Sequence, residues 1–218
     1  MRKSLALVAT ILLACAAALA HGDDEDAGIT QGVVGGVTVM TASGTAAQAK
    51  PFMKIRNGDV FQVPPGGEVR LMYLDSARYE RWVGPATFRI GKVQSTAVTA
   101  KPAESRVLPE HAARRIAKVP DIIAFSRLGG VGIRSLPQPN GPTAKQKEAL
   151  RVAHERFDDM RKAAPEDDIT PELYLYSVLD DYQQYGEMGK LVADMRRRQP
   201  SNEGLASLEA WVNQRKGR

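Results

Sequence analysis

Residues 51–91 contain the strongest structural signal of the sequence, because apolar and polar residues alternate there between tight-turn signals. Val69, Leu71 and Tyr73 occupy one parity, and a period of two over such a run predicts a half-buried β-strand. Asn57-Gly58 predicts a hairpin turn between two short apolar runs, since Asn-Gly adopts positive φ at little cost. Short strands at this spacing predict a small antiparallel or rolled all-β unit.

A second strand pair is predicted within the same region. Residues 69–74 and 79–83 alternate in the way that paired strands do, and Gly84-Pro85 then turns the chain into a further strand at residues 87–90. Pro and Gly favour such breaks, because Pro cannot join a central ladder and Gly frees the backbone. Residues 41–50 are small and polar, and they are predicted to form a loop that leads into this β region.

The residues that carry the β pattern also resemble a known family. The run EVRLMYLDSARYERWVGPATFRIG, with Gly58-Asp59 before it, resembles a FecR-type domain, the small β-roll of bacterial periplasmic sensor proteins, over about residues 33–98. The usual Asp-Gly turn of that family is Asp75-Ser76 here. Since no membrane anchor or anti-sigma segment precedes the region, the resemblance implies a β-roll in the cell envelope but not signalling to a sigma factor.

The first 20 residues have the parts of a secretory signal peptide. Arg2-Lys3 precede an apolar run, and Ala18-Leu19-Ala20 forms an A-x-A-like cleavage site. Cleavage there leaves His21 first and predicts a periplasmic or secreted protein. An alternative is lipidation of Cys15, the only cysteine, since Cys15 ends a run that resembles a bacterial lipobox. That alternative predicts an outer-membrane lipoprotein, and only in that case is contact with a membrane expected.

Charge is distributed unevenly along the chain. The formal net charge is +5, and acidic residues 23–26 fall in a predicted flexible leader over residues 21–32. Residues 27–142 contain 15 Lys and Arg against 7 Asp and Glu, whereas residues 143–218 contain 13 against 14. The basic β half therefore suits an acidic partner or an anionic envelope polymer. No nucleic-acid partner is expected, because an exported protein rarely meets one.

Residues 101–142 are predicted to connect the β region to a helical half. A linker at residues 101–106 is followed by a helix that begins at Leu108-Pro109-Glu110, by a short strand, and by a Pro-rich linker at residues 136–142. Because this second linker is semi-rigid, we expect the helical half, residues 143–218, to fold without the β region.

The last third of the sequence has helical periodicity. Thr143-x-x-Gln146 is a capping-box pattern, and Gly186 is predicted to end the second helix. Residues 171–200 resemble one unit of a tetratricopeptide repeat, which implies a helical hairpin. Since a solenoid needs neighbouring repeats, we expect a small bundle instead. The apolar positions predicted to face the core are Leu150, Phe157, Leu175, Leu179, Leu191, Val192 and Leu208.

Together these patterns predict an α+β chain. We expect a small antiparallel β-roll or sandwich over residues 33–100, followed by a C-terminal α-helical hairpin bundle over residues 143–218. The mature chain would contain no cysteine, so its stability would depend on packing rather than on disulfides.

The sequence contains no catalytic constellation. Its histidines lack metal-ligand spacing, so His111 and His154 are predicted to be surface residues of helices. Asp180-Asp181 cannot act as an acid/base pair, because adjacent helical residues do not face each other. The residues at 166–168 are acidic and are predicted to lie in a loop between helices. We therefore predict no enzymatic activity and no catalytic, cofactor-binding or metal-binding residues.

The predicted function is protein binding in a bacterial cell envelope, as a binding or scaffold module. An anionic-glycan or peptidoglycan binder that uses the basic β region and Trp82 is one alternative, and a copper-binding secreted protein that uses an N-terminal His21 is another. The partner is predicted to be an envelope protein or an anionic envelope polymer. Tyr and Trp dominate binding hot spots when they are exposed, and the predicted partner-binding residues are Tyr79, Arg81, Trp82, Tyr182 and Tyr185.

Overall fold

The computed structural model describes residues 26–127 and 142–216, which form two antiparallel β-sheets and a set of helices. The α+β class and the order of a β-sandwich followed by helices are therefore confirmed. Sheet A contains, in spatial order, β10 (Glu104–Val107), β7 (Arg78–Val83), β6 (Glu68–Tyr73), β1 (Asp26–Val34) and β4 (Lys54–Arg56). Sheet B contains β3 (Ala46–Gln48), β2 (Thr38–Met40), β5 (Val60–Val63), β8 (Ala86–Ile90) and β9 (Ser95–Ala97).

Helices follow the strands. They are α1 (Glu110–Ile116), α2 (Val119–Arg127), α3 (Ala144–Ala163), α4 (Thr170–Asp181), α5 (Tyr185–Arg198) and α6 (Leu205–Lys216). The predicted signal peptide and the Pro-rich residues 136–141 lie outside the described residues. In the part of the chain that the structure describes, no helix is long and apolar enough to cross a membrane.

An aromatic core joins the two sheets. The rings of Trp82 and Phe88 are stacked with their centroids 4.0 Å apart, and Phe61 stacks on Phe88 at 5.3 Å. Leu71 and Tyr73 of β6 belong to the same buried cluster. One face of sheet A therefore packs against sheet B, as the alternation of β6 predicts.

The opposite face of sheet A is also buried. Met72 and Tyr79 belong to a second apolar cluster, which otherwise consists mostly of helical residues. Arg70, on the same side of β6, is also buried. The prediction that β6 is half-buried is thus wrong, because the helices cover its second face. Sheet A lies between sheet B and the helical layer.

The connections between strands differ from the simplest hairpin pattern. Asn57-Gly58 does not form a hairpin, because β4 pairs with β1 in sheet A and β5 pairs with β2 and β8 in sheet B. The dipeptide instead carries the chain from one sheet to the other, with Gly58 at a φ of +94°. The predicted pair β6–β7 is confirmed as an antiparallel pair in which Val69 faces Trp82.

Three strands lie where other structure was predicted. Residues 26–32, assigned to the flexible leader, form most of β1, which pairs with both β4 and β6. β3 lies inside the predicted loop at residues 41–50, and β10 includes the second half of the predicted linker at residues 101–106. These strands are short or rich in Gly and Ala, so they carry weak alternation.

α4 is the central helix of the helical layer. Its residues 170–179 are all buried, because sheet A, α1, α3 and α5 surround it. A helix that is buried on every side has no polar face. The chain then reverses at Gln183, whose φ is +57°. Gly186 lies in the first turn of α5, so the prediction that it ends the preceding helix is wrong.

Most of the predicted helical core is confirmed. The capping box of α3 is present, with Gln146 N–H donating to Thr143 Oγ1 and Thr143 N–H donating to Gln146 Oε1. Leu150 and Phe157 are only partly buried and pack against the edge of the helical cluster. The fully buried positions are Leu175, Leu179, Leu191, Val192 and Leu208.

Sheet A and the helices share one apolar cluster. Ile29 and Met72 from the sheet belong to the same cluster as Leu173 and Leu179 from α4. Separating the two parts would expose this surface to water, which costs free energy in proportion to its area. We therefore expect the β region and the helices to unfold as one unit, and the independent folding of residues 143–218 stays a prediction.

Candidate functional site

α1 and α3 both pack against α4 but make little contact with each other. Two adjoining cavities of about 440 Å³ and about 240 Å³ lie along this gap. His111 of α1 and Arg156 of α3 line both cavities. We call the two cavities together the α1–α3 groove. It is the best candidate for a binding site in the described part of the chain, because it is concave and its walls are held by packed helices.

The larger cavity has a mainly apolar wall. It lies where β10, α1, the end of α3 and the start of α4 meet. Arg106 also lines the cavity, and its guanidinium lies 4.6 Å from the centroid of the Tyr79 ring and pairs with Asp168. The apolar side chains of the wall include Leu108, Met160, Ala163 and Pro171.

The smaller cavity continues the groove between α1 and α3. Ala149 and Val152 of α3 line one side, and Arg115 of α1 lines the other. Tyr174 and Tyr182 contribute aromatic surface near the start and the end of α4. This part of the groove therefore offers small residues at its wall, which leave room for an incoming side chain, together with two aromatic rings.

His111 is neutral at the centre of the groove near pH 7. Burial lowers the pKa of His111, and the nearby charge of Arg156 lowers it further. The Nε2 atom is buried and has no hydrogen-bond partner among the described residues. The imidazole ring meets the Tyr174 ring edge-on, with centroids 5.5 Å apart. An uncharged ring in this position suits a mainly apolar surface.

Arg156 is a positively charged residue of the groove that lacks an ion-pair partner among the described residues. Within residues 26–127 and 142–216, no carboxylate lies within ion-pair distance of its exposed side chain. The other two arginines of the lining are neutralised, since Arg106 pairs with Asp168 and Arg115 pairs with Asp181. Asp159, which also lines the larger cavity, pairs with Lys162 at 3.4 Å. The groove therefore combines an apolar wall with one available positive charge.

The acidic loop at residues 166–168 neutralises part of the basic β half. Arg70 donates hydrogen bonds to the backbone carbonyl and to the carboxylate of Asp167. Glu68 accepts hydrogen bonds from Arg70 Nε and Arg81 Nη2, both at 2.6 Å. Burial alone would raise the pKa of Glu68, but these two arginines outweigh it and lower the pKa. Much of the positive charge predicted to attract an anionic surface is thus paired inside the protein.

A second buried ion pair fixes the start of α4. The fully buried carboxylate of Glu172 lies 3.0 Å from Arg161 Nη1 and 3.3 Å from Arg198 Nε. Burial raises the pKa of Glu172 although both arginines oppose that shift. This arrangement holds α3, α4 and α5 together at the end of the groove next to the larger cavity.

The structure separates the five predicted partner-binding residues. Tyr79 and Trp82 are buried, 1% and 0% exposed, so neither side chain is presented at the surface. Tyr79 packs under the helices, and Trp82 lies in the sandwich core and donates a hydrogen bond to Glu80. Arg81 is half-buried and paired with Glu68. Tyr185 is partly buried against the helical cluster. Of the five, Tyr182 lines the α1–α3 groove.

Sequence reasoning missed the two residues at the centre of the groove. His111 and Arg156 carry no motif, and the sequence supported only a surface position for His111. A weak signal exists in α3, where Ala149, Val152, Arg156 and Ala163 recur at helical spacing beside the core stripe. A second stripe of small and apolar residues on one helix indicates a second contact surface.

The remaining candidate ligands lie elsewhere. His21 and Cys15 are outside the described residues. His154 Nε2–H donates a hydrogen bond to the carboxylate of Glu187 in α5, and His154 does not line the groove. In the two segments that the structure describes, no group of three or more His, Cys, Asp or Glu side chains is placed to hold a metal ion.

Comparison with known proteins leaves the two resemblances as predictions. Neither protein-family models, nor curated proteins, nor solved structures gave a match to the chain. The FecR-type and tetratricopeptide-repeat assignments therefore rest on the residues that suggested them. Fold resemblance alone does not determine function, and the α1–α3 groove is the feature of this chain from which a function can be inferred.

Proposed function

We propose that this protein is an exported, non-enzymatic module of the bacterial cell envelope that binds another envelope protein through the α1–α3 groove. The observation that carries the proposal is the groove itself, in which an apolar wall, the Tyr182 ring and the Arg156 charge lie between two helices that barely touch. Aromatic residues and Arg are the side chains that most often carry binding energy at protein interfaces.

The packing around the groove also supports binding. α4 is buried on every side and forms its floor, and ion pairs on Glu172 tie α3 and α5 to it. A preformed and rigid surface loses little conformational entropy when a partner docks. The groove can therefore bind without refolding the helices around it.

The glycan-binding alternative has less support than protein binding. Trp82, which this alternative requires on the surface, is buried in the sandwich core. Arg70, Arg81 and Arg106 are all paired with carboxylates. Recognition of a polyanion depends on several free cations along a surface, and these three arginines do not provide them. The copper-binding alternative depends on His21, which lies outside the described residues.

Photo-cross-linking in the cells that make the protein would test the proposal. A photoreactive phenylalanine at Val152 lies in the groove, and one at Gln62 lies on the exposed side of sheet B. We expect a defined cross-linked protein adduct in the envelope fraction from the Val152 position and none from the Gln62 position. Equal adducts from both positions, or none from Val152, would show that the groove is not the binding site.

The location has a separate test. We expect the intact mass of the native protein to correspond to a chain that begins at His21. A diacylglyceryl mass on Cys15 would support the lipoprotein alternative instead, and a retained Met1 would contradict export by either route.

A further inference from the structure

We infer that the α1–α3 groove takes an acidic segment of a partner protein, with one carboxylate on Arg156 and an apolar side chain in the larger cavity. This inference rests on the proposed function and adds the chemistry of the partner. It follows from three observations in the groove: its balance of charge, its apolar wall and the position of His111.

The charge balance selects a carboxylate. Asp168 and Asp181 neutralise Arg106 and Arg115, and the remaining carboxylate of the lining, Asp159, pairs with Lys162 at 3.4 Å. An incoming anion therefore meets available positive charge at Arg156. A guanidinium offers parallel N–H donors that match the two oxygens of one carboxylate. A nucleic acid or an anionic polysaccharide would need several free cations in a row. One free cation beside an apolar wall therefore fits an acidic peptide better than a polyanion.

The apolar wall supplies an anchor next to that charge. The larger cavity adjoins Arg156 and is lined by Leu108, Met160 and Pro171. Met fills irregular gaps and adapts to different apolar groups. An apolar side chain that enters this cavity excludes water from the neighbouring guanidinium, and a charge-assisted hydrogen bond is stronger in such a place. The expected partner therefore carries a large apolar residue close to Asp or Glu.

His111 provides a spectroscopic reporter for this arrangement. The titratable and charged groups that line the two cavities with it are Arg156 and Asp159 from α3, Tyr174 and Tyr182 from α4 and its C-terminal cap, Arg115 from its own helix, and Arg106 and Asp168. A carboxylate on Arg156 would offset the positive charge that disfavours the imidazolium. Binding should therefore raise the pKa of His111, and affinity should increase as the pH falls through the pKa of the complex.

Selection from a display library of random short peptides tests the inference with the full-length chain. Arg156→Gln removes the proposed contact, and Arg151→Gln removes the same charge from the exposed side of α3 outside the groove. We expect the native chain and Arg151→Gln to enrich peptides that contain Asp or Glu near a large apolar residue. We expect Arg156→Gln to lose the acidic preference and to bind the selected peptides at least tenfold more weakly. In a histidine NMR titration, a selected peptide should raise the pKa of His111.

Other results would overturn the inference. These are basic or uncharged selected peptides, an acidic preference that Arg156→Gln retains, an unchanged pKa of His111, or no selection at all. If cross-linking at Val152 still captured a partner in any of these cases, the proposed function would stand and the acidic chemistry alone would fail. Sedimentation of the native chain tests whether a second copy of the protein occupies the groove. A dimer that depends on Arg156 would contradict the inference.

Discussion

Met72 and Leu71 are neighbours on β6 whose side chains enter different cores, so truncating each one tests whether the helices and the sandwich unfold together. Both are 0% exposed. Met72 lies in the cluster shared with the helices, and Leu71 lies in the cluster between the sheets. Met72→Ala removes three heavy atoms, or about 2 kcal/mol of transfer free energy. With the cavity that remains, the expected loss of unfolding free energy is about 2–5 kcal/mol for either variant.

The two tryptophans make this loss measurable in each half separately. Trp82 lies in the sandwich core and Trp211 lies in α6, so single-tryptophan chains with Trp82→Phe or Trp211→Phe report on one half at a time. For an unfolding m-value of about 2.5 kcal/mol/M in urea, the loss corresponds to a midpoint shift of roughly 1–2 M. We expect Met72→Ala and Leu71→Ala each to shift the transitions of both tryptophans equally.

Separate transitions would refute the shared-core reasoning. If Met72→Ala shifted only the Trp211 signal while Leu71→Ala shifted only the Trp82 signal, the halves would be independent cooperative units. The Pro-rich linker at residues 136–142 would then act as the sequence predicts, and the helical fragment would fold alone.

Three smaller perturbations test local parts of the structure. Gly28→Ala should destabilise the protein strongly in a thermal melt, because its Cβ would lie 2.4 Å from the Met72 carbonyl oxygen, whereas Gly36→Ala meets no atom within 4 Å and should change stability little. Thr143→Ala should cost about 1 kcal/mol by chemical denaturation, because it removes the α3 cap; no loss would contradict the capping role. Burial lowers the pKa of His154, but the hydrogen bond and charge of Glu187 outweigh burial, so the pKa lies above the ordinary value. The His154–Glu187 pair therefore stabilises the fold at a pH below the pKa of His154 in the unfolded chain. This stabilisation is lost as the pH rises through the pKa of His154 in the folded chain. In a histidine NMR titration, Glu187→Gln should lower the pKa of His154, and an unchanged pKa would argue against this pair.

The sequence predicts local structure well where one physical signal dominates. The β6–β7 pair follows from alternation, and the start of α3 follows from Thr143 and Gln146, because both signals act between residues close in the chain. The sequence does not predict β1, because Asp26, Gly28 and Gly32 interrupt its alternation of apolar and polar residues. The turn chemistry of Asn57-Gly58 was correctly identified, but turn chemistry does not specify which strands pair on either side.

Burial by distant elements explains the other differences. Nothing local to β6 shows that Arg70 and Met72 lie under helices, since the carboxylate of Asp167 that accepts from Arg70 is 97 positions away. The aromatic residues Tyr79 and Trp82 present the same problem, because a sequence does not distinguish an aromatic core residue from an exposed one. The groove depends on the spacing of α1 and α3 across α4, which is a tertiary property, and Tyr182 was the only part of it that residue type suggested.

The ion pairs between sheet A and the loop at residues 166–168 also determine the order in which parts of a newly synthesised chain can fold. Synthesis delivers the strands first, and domains assemble as their parts emerge. Until Asp167 and Asp168 have left the ribosome, Arg70 and Arg106 lack the carboxylates that pair with them across 97 and 62 positions. Burying an incompletely paired charge costs free energy. The face of sheet A toward the helices can therefore be buried only after the last third of the chain has been synthesised. If the chain is exported, as we propose, this delay keeps it unfolded for passage through a narrow translocation channel.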